Sequence, residues 1–338
     1  MPGGSQRCIL LRAYPQGMPR ASDFELVERA LSSPGVGEVL VETSFLSMDP
    51  APRMRMNPTA REPPPLSLGD VVLGRGVGTV RESRHADYQA GDIVAGELGW
   101  QEYAVLPGAQ LRKVDPTRGP IQAALGVLGP SGTTAWCLVN AAAKVRPGET
   151  VVVAAAAGSV GSIAIQLARN IGTRTIGIVG SDKQAAFVRD RLGADAVVNY
   201  QSQTLAADLA AAAPNGVNVF LDSVGGALHN AVMEQIAVHA RIIAFGYISA
   251  YNTQGAPPAE YGRIFRVIHR RAELRGFLIA DFVAHFGDAQ RELVELLVAG
   301  GIINEEHTVD GLEQAPSAFA ALFTGDPIGK QLVRIPSQ

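Results

Sequence analysis

Cysteine is nearly absent: 338 residues carry two, Cys8 and Cys137. Each sits in an apolar run, so the reading is two buried thiols in a reducing cytosol rather than a disulfide framework. No Cys-x-x-Cys occurs. The six histidines (His85, His229, His239, His269, His285 and His307) are scattered, none at metal-ligand spacing from a cysteine. No zinc site is expected, and chemistry must come from an organic cofactor and hydrogen-bond donors. Long basic runs are missing too, and the net charge is −3. That argues against nucleic acid as a partner, because phosphate binding needs clustered Lys and Arg. No run of about 18 uncharged apolar residues occurs, so no membrane span is expected. No apolar signal-peptide core is read either, which leaves the cytoplasm as the expected location.

What is present is apolar. Hydrophobic residues make up 47% and charged residues 18% of the chain. This suffices for buried cores, and the length suggests two domains. Up to about residue 125, short β-like runs such as Cys8–Arg12, Glu38–Leu46, Val71–Glu82 and Asp92–Leu106 are broken by Gly and Pro. That spacing suits a partly open β-barrel. Arg61–Leu66 holds three consecutive prolines and is read as loop.

From about residue 126 apolar strands alternate with helical patterns. Strands are expected at Thr150–Ala154, Arg174–Val179, Val217–Asp222, Arg241–Gly246 and Leu274–Ile279. Helices are expected at Ser159–Asn170, Lys183–Leu192, Leu205–Ala213, Leu228–Ala237 and Phe282–Leu297. Val- and Ile-rich strands without polar alternation are buried on both faces, which predicts a doubly wound α/β domain around a parallel sheet. A helix at Glu313–Leu322 and a strand at Gly329–Ile335 follow.

The most informative segment is Val151–Gly161, where a buried strand meets a small-residue turn and then a helix. Ala156-x-Gly158-x-x-Gly161 is the dinucleotide fingerprint with Ala for the first Gly. Gly158 admits a pyrophosphate, Gly161 lets helix pack on strand, and the helix N-terminus offers free amides to the anion. An ordinary Gly-rich turn of an α/β protein is the alternative. NAD-binding versions end the next strand in an acid that accepts from the ribose 2′-OH. Here that end reads Gly180-Ser181-Asp182-Lys183. A small residue, a hydroxyl and a cation suit a 2′-phosphate, although Asp182 could still reach a ribose and Lys183 could simply be solvated.

Several further segments point one way. They are Leu46-Ser47-Met48-Asp49-Pro50 with Arg53 and Met54, Gly99–Tyr103, Leu125–Gly129 with Gly132 and Thr134-Ala135, and Asn199-Tyr200. Asp222-x-Val224-Gly225-Gly226, Ile248–Asn252, Gly276–Ile279 and Gly329-Lys330 complete the set. With the Ala155–Gly161 turn, the chain resembles the zinc-independent medium-chain dehydrogenase/reductases over nearly its whole length. The branch is that of the alkenal/one oxidoreductases, which includes prostaglandin and curcumin reductases. The resemblance implies a GroES-like β-barrel catalytic domain at 1–125, completed by 307–338, and a Rossmann domain at 126–306, with the cofactor in the cleft and a homodimeric state. It implies NADPH-dependent reduction of the carbon–carbon double bond of an α,β-unsaturated ketone or aldehyde.

Carried over by position, Gly158, Ser159, Val160 and Gly161 take the pyrophosphate; Gly180, Ser181 and Lys183, read from their own chemistry rather than from a matching position, are expected at the 2′-phosphate. Tyr200, Ser223, Phe245, Gly246, Ile248, Ser249, Tyr251, Phe277, Leu278 and Ile279 line the cofactor, with Thr134 near the nicotinamide. Asp49, Pro50 and Ala51 lie at the substrate, and Tyr251 is the catalytic donor, unless it only packs and Ser249 or Asn252 donates. The chain departs from the family pattern at Ala51-Pro52, where an aromatic is lost, and at Pro130-Ser131-Gly132, which replaces Met-Pro-Gly. It also has Gln184 at the 2′-phosphate lysine's position and Pro327 in place of an Asn. A quinone reductase with the same cofactor turn is the alternative activity, and a nucleotide-binding protein without catalysis is a third reading.

Overall fold

The structure is a computed structural model and describes residues 4–59, 64–253, 264–325 and 327–336. Of the proline-rich stretch expected as loop, residues 61–63 lie outside these; Pro64 and Pro65 belong to no helix or strand. No helix among the described residues is long and apolar enough to cross a membrane.

The chain begins with β1 (Ser5–Leu11), β2 (Phe24–Ala30) and β3 (Glu38–Ser47), then the single turn α1 (Pro52–Arg55). There follow β4 (Gly76–Ser83), β5 (Ile93–Gly96), β6 (Tyr103–Pro107) and β7 (Arg112–Lys113). After α2 (Pro130–Trp136), strands and helices alternate through β8 (Thr150–Val153), α3 (Ser159–Ile171), β9 (Arg174–Val179), α4 (Asp182–Ala186), β10 (Ala196–Asn199) and α5 (Leu205–Ala212). The alternation continues with β11 (Val217–Asp222), α6 (Gly226–Met233), β12 (Ile236–Ala244), α7 (Ile264–Arg270), β13 (Glu273–Gly276) and α8 (Phe286–Val298). The last elements are β14 (Glu306–Asp310), α9 (Ala315–Ala321) and β15 (Lys330–Arg334).

Two compact units result. The first comprises Met1–Gly126, Glu306–Thr324 and Lys330–Gln338; the second comprises Val127–Glu305 and Gly325–Gly329. In the first, a seven-stranded sheet runs β14-β15-β3-β4-β5-β7 with β6 on β3, beside the antiparallel pair β1-β2. One of its cores is aromatic: Trp100 lies 5.3 Å from Phe24 and meets Phe319 edge-on at 5.5 Å. In the second, six parallel strands run β10-β9-β8-β11-β12-β13. Counted from β8 this is the order 3-2-1-4-5-6 of a doubly wound dinucleotide fold. Its strands bury Val152, Ile176, Ile178, Phe220 and Ile242 against the helices.

Most predicted elements are found, and several boundaries are corrected; the helix expected at Phe282–Leu297, for one, is α-helical only from Phe286, after a 3-10 turn over Ile279–His285. The helix expected at Leu228–Ala237 stops at Met233, because Ile236 already pairs with Val217 in the sheet. The strand expected at Arg241–Gly246 therefore starts at Ile236 and ends at Ala244. The strand expected at Leu274–Ile279 ends at Gly276, and Phe277 instead donates its amide to Ala244. The helix expected at Lys183–Leu192 is α4 followed by a π-turn over Phe187–Arg191, closed by Leu192 N–H to Phe187 carbonyl at 3.2 Å. Cys8 and Cys137 are both buried and unpaired, and burial pushes the Cys137 thiol up to about 11. Thiolate chemistry at neutral pH is therefore closed to it.

Candidate active site

The residues expected at the site from β8 onward follow the C-terminal ends of the parallel strands, where ligands of such sheets bind. After β8 the chain turns through Ala154–Ala157, with Ala155 in the left-handed region at φ +48°. Gly158 is the N-cap of α3 and offers no side chain to its amides. A helix start without a side-chain cap leaves N–H donors and the positive end of the helix dipole for an anion. Gly158, Ser159 and Val160 are part-exposed while the strand and turn around them are mostly buried, so this is where the turn opens to solvent. Gly161 is demanded by packing, since a Cβ there would sit 2.3 Å from the Ala155 carbonyl oxygen. Ser159 Oγ donates to Ser131 Oγ at 2.8 Å, so the serine replacing the family's proline pins α3 to α2.

At the end of β9, Gly180 lies under the ring of Tyr200, and a Cβ on it would stand 2.9 Å from Tyr200 Cε1. Ser181 caps α4 by accepting from the Gln184 amide at 3.3 Å. Lys183, in the first turn of α4, is exposed and makes no ion pair among the described residues. Arg189 is instead committed to Asp190 at 2.8 Å. Gln184 points inward and is buried. Its Oε1 accepts from Gly180 N–H at 2.9 Å, and its Nε2 donates to the carbonyls of Gly325 at 2.7 Å and Pro327 at 2.9 Å. Gly329 N–H donates to the Ala157 carbonyl at 2.8 Å, so Gly329 is tied to the turn after β8 while Gly325 and Pro327 are tied through Gln184 to the end of β9. Gln184 thus holds backbone, and of the two neighbouring positions only Lys183 presents a cation to solvent.

Beyond β11, the turn Ser223–Gly226 is bonded to the segment that follows β12. Phe245 N–H donates to Asp222 carbonyl at 2.9 Å, Ile248 N–H to Ser223 carbonyl at 3.1 Å, and Ser249 Oγ to Val224 carbonyl at 2.6 Å. Gly246 sits against Ser223, whose carbonyl a Cβ would meet at 2.9 Å. Gly225, at φ +70°, lies flat against the Tyr247 ring. Tyr251 follows the turn Ile248–Ala250 and is half-buried. Desolvation raises its phenol above the ordinary value of 10.0 against a smaller opposite pull from a hydrogen bond with the Tyr247 backbone, so it stays a neutral donor. Phe277, Leu278 and Ile279 follow β13 at the sheet's outer edge, with Phe277 stacked on Phe282 at 4.7 Å and Leu278 exposed. Thr134 lies on α2, which α8 holds by Gln290 to Thr133 at 2.9 Å and Glu292 to Trp136 at 2.7 Å.

In the first unit, Asp49 is engaged internally. Its Oδ1 accepts from the buried Lys330 ammonium at 2.6 Å and its Oδ2 from Ser47 at 2.7 Å. Burial pushes the Asp49 carboxyl up, but the Lys330 charge and the Lys330 and Ser47 hydrogen bonds outweigh it and hold the group below the usual range. Pro50 is half-buried and Ala51 is exposed ahead of α1. Among the described residues, no group of three His, Cys, Asp or Glu side chains is placed to hold a metal ion.

Two roles are not visible in the sequence: Gln184 as a backbone clip and His229 paired with Asp222. For Gln184 and His229 no local signal exists, because their partners lie on other elements.

Comparison with known proteins fits this geometry. Residues 7–114 match the family described as the N-terminal domain of oxidoreductase, and residues 159–298 the family described as zinc-binding dehydrogenase. A putative NADP-dependent oxidoreductase of Bacillus subtilis, YfmJ, is 37% identical over 98% of each chain. The NADPH-dependent curcumin reductase of Escherichia coli is 36% identical over 96% of each. The NADP-dependent 2-alkenal reductase of Nicotiana tabacum is 32% identical over 98% of each. The crystal structure of CurA from Vibrio vulnificus in complex with NADPH has a TM-score of 0.92 at 33% identity, covering 98% of this chain and 100% of that one.

Proposed function

The chain belongs to the medium-chain dehydrogenase/reductase family, and on that premise we propose that it reduces the carbon–carbon double bond of α,β-unsaturated ketones and aldehydes with NADPH. The observation that carries this reading is the neutral, half-buried phenol of Tyr251 on the same sheet edge as an uncapped phosphate turn. When bound, NADPH supplies the hydride that reaches the β-carbon. The protein holds the pyrophosphate on the amides of Gly158–Gly161 and the 2′-phosphate through Ser181 and Lys183. Tyr200, Ser223, Phe245–Ser249 and Phe277–Ile279 form the remaining cofactor surface. As negative charge builds on the substrate carbonyl oxygen, Tyr251 donates a hydrogen bond that strengthens toward the transition state.

The first unit carries the loop Asp49–Ala51, which the resemblance assigns to the substrate. The Lys330–Asp49 pair gives that loop its shape. No zinc takes part, because a single carbonyl is polarised and a phenol suffices. Two buried, unpaired thiols agree with a cytoplasmic setting. The working state is a homodimer: β13 pairs only with β12 among the described residues, and its four residues are exposed with an open edge. Light scattering should give twice 35.5 kDa, and a mass of one chain would refute the dimer.

Turnover of NADPH on a panel of enones and quinones, with a chelator present throughout, tests the activity. Enones are expected to be the better acceptors and the chelator to have no effect. Preference for quinones, or loss of activity restored by zinc, would overturn the reading.

A further inference from the structure

The catalytic reading leaves one buried polar pair unused. Asp222 ends β11, and His229 lies on the first turns of α6; both side chains are nearly inaccessible. His229 Nδ1 stands 2.7 Å from Asp222 Oδ2. A carboxylate can only accept, so Nδ1 carries the proton and donates. The other carboxylate oxygen, Oδ1, accepts from the amides of Val224 and Gly225, both at 2.9 Å. One carboxylate therefore fixes the turn Ser223–Gly226 from inside, and His229 fixes that carboxylate from the helix that the turn leads into.

The position of this turn gives it consequence. The sheet order reverses between β8 and β11, and ligands of open α/β sheets bind in the crevice at that reversal. The turn Ala154–Gly158 follows β8 on one side of that reversal, and Ser223–Gly226 follows β11 on the other. The second turn also carries the Tyr251 segment through the carbonyls of Ser223 and Val224. Gly225 cannot drift without losing the Tyr247 ring stacked on it.

We propose that His229, acting through Asp222, is the positioning residue that holds the Ser223–Gly226 turn in its cofactor-binding shape. The proposal rests on the reading that NADPH occupies the switch-point crevice. His229 is buried beneath the turn, and its effect passes through the carboxylate to two backbone amides.

The test compares His229→Leu with His229→Asn. Leucine keeps an apolar side chain beside the Phe220 ring, whose centroid lies 6.0 Å from the imidazole, but donates nothing. Asparagine is smaller and packs worse, yet its amide nitrogen falls close to where Nδ1 was. NADPH affinity is measured by fluorescence titration, beside the melting temperature without cofactor and the turnover number. The Leu variant is expected to bind NADPH about 10-fold more weakly, the size of one lost hydrogen bond to a charged group. The Asn variant is expected to stay within about 3-fold of the parent, since it keeps that donor. The ranking in affinity should oppose the ranking in packing, so it will not follow the melting temperatures. If the Leu variant does not fold, His229→Met takes its place. Wild-type protein that fails to bind NADPH overturns the cofactor reading and this proposal with it. Wild-type binding with an unchanged Leu variant, or with Leu and Asn equally weakened, overturns this proposal alone.

Discussion

Tyr251→Phe is expected to lower turnover on the best enone by about 10- to 100-fold while NADPH affinity changes little. The ring is kept and only the hydroxyl is lost, so the variant separates donation from packing. A lost oxyanion donor typically costs on the order of 10²–10³ in rate. The smaller figure expected here reflects the ribose hydroxyl of the cofactor, which can still donate. Burial raises the Tyr251 phenol above 10.0, so it remains protonated across neutral and mildly alkaline pH, and its ionisation should cause no fall in turnover below pH 10. Full turnover in the Phe variant would assign Tyr251 to packing and leave donation to Ser249 or Asn252. The measurement is steady-state turnover with saturating NADPH, beside a cofactor titration.

Gly180→Asp is expected to reduce the preference for NADPH over NADH by about 100-fold or more. The new carboxylate would stand where NAD-binding folds place the acid that accepts from a ribose 2′-OH. Two like charges 4 Å apart interact by about 4 kcal/mol at an effective dielectric of 20. Exposure and screening reduce that, and about 1.4 kcal/mol is worth tenfold. The Tyr200 ring must also give way, because the Cβ would lie 2.9 Å from its edge. Lys183→Ala should act in the same direction more weakly, by about 10-fold, through loss of a charge-assisted contact. Gln184→Lys, in contrast, is not expected to improve NADPH use, since the amide it removes holds Gly180, Gly325 and Pro327. Comparison of kcat/KM for the two cofactors decides all three, and unchanged ratios in Gly180→Asp and Lys183→Ala would move the 2′-phosphate elsewhere.

The elements that could be read from sequence were those whose physics is local. Thr150–Val153 and Val217–Asp222 are Val-rich runs bounded by turns, and only a doubly covered parallel strand needs such a pattern. The turn Ala154–Gly158 could be read as a tight strand-to-helix turn because Gly161 answers a contact six residues away. β10 escaped because four residues of mixed burial, Ala196–Asn199, carry too little pattern to distinguish a strand from a loop. The ends of β12 and β13 were misplaced because pairing with β11 and β12, not side-chain character, sets where each begins and stops. The same limit applies to the site. Gln184 could be seen to depart from the family's lysine, but its three backbone partners span 180 to 327 and only the folded chain brings them together. The tie between Asp49 and Lys330, from the far end of the chain, was likewise invisible, because 281 residues separate the partners.

The most direct test of the central claim is the fate of a deuteride. With NADPH deuterated at the transferable position and an α,β-unsaturated ketone as acceptor, the product is examined by NMR and mass spectrometry. The account predicts a saturated ketone carrying the label on the β-carbon, with the carbonyl intact. A labelled allylic alcohol, with deuterium on the former carbonyl carbon and the double bond retained, would contradict it.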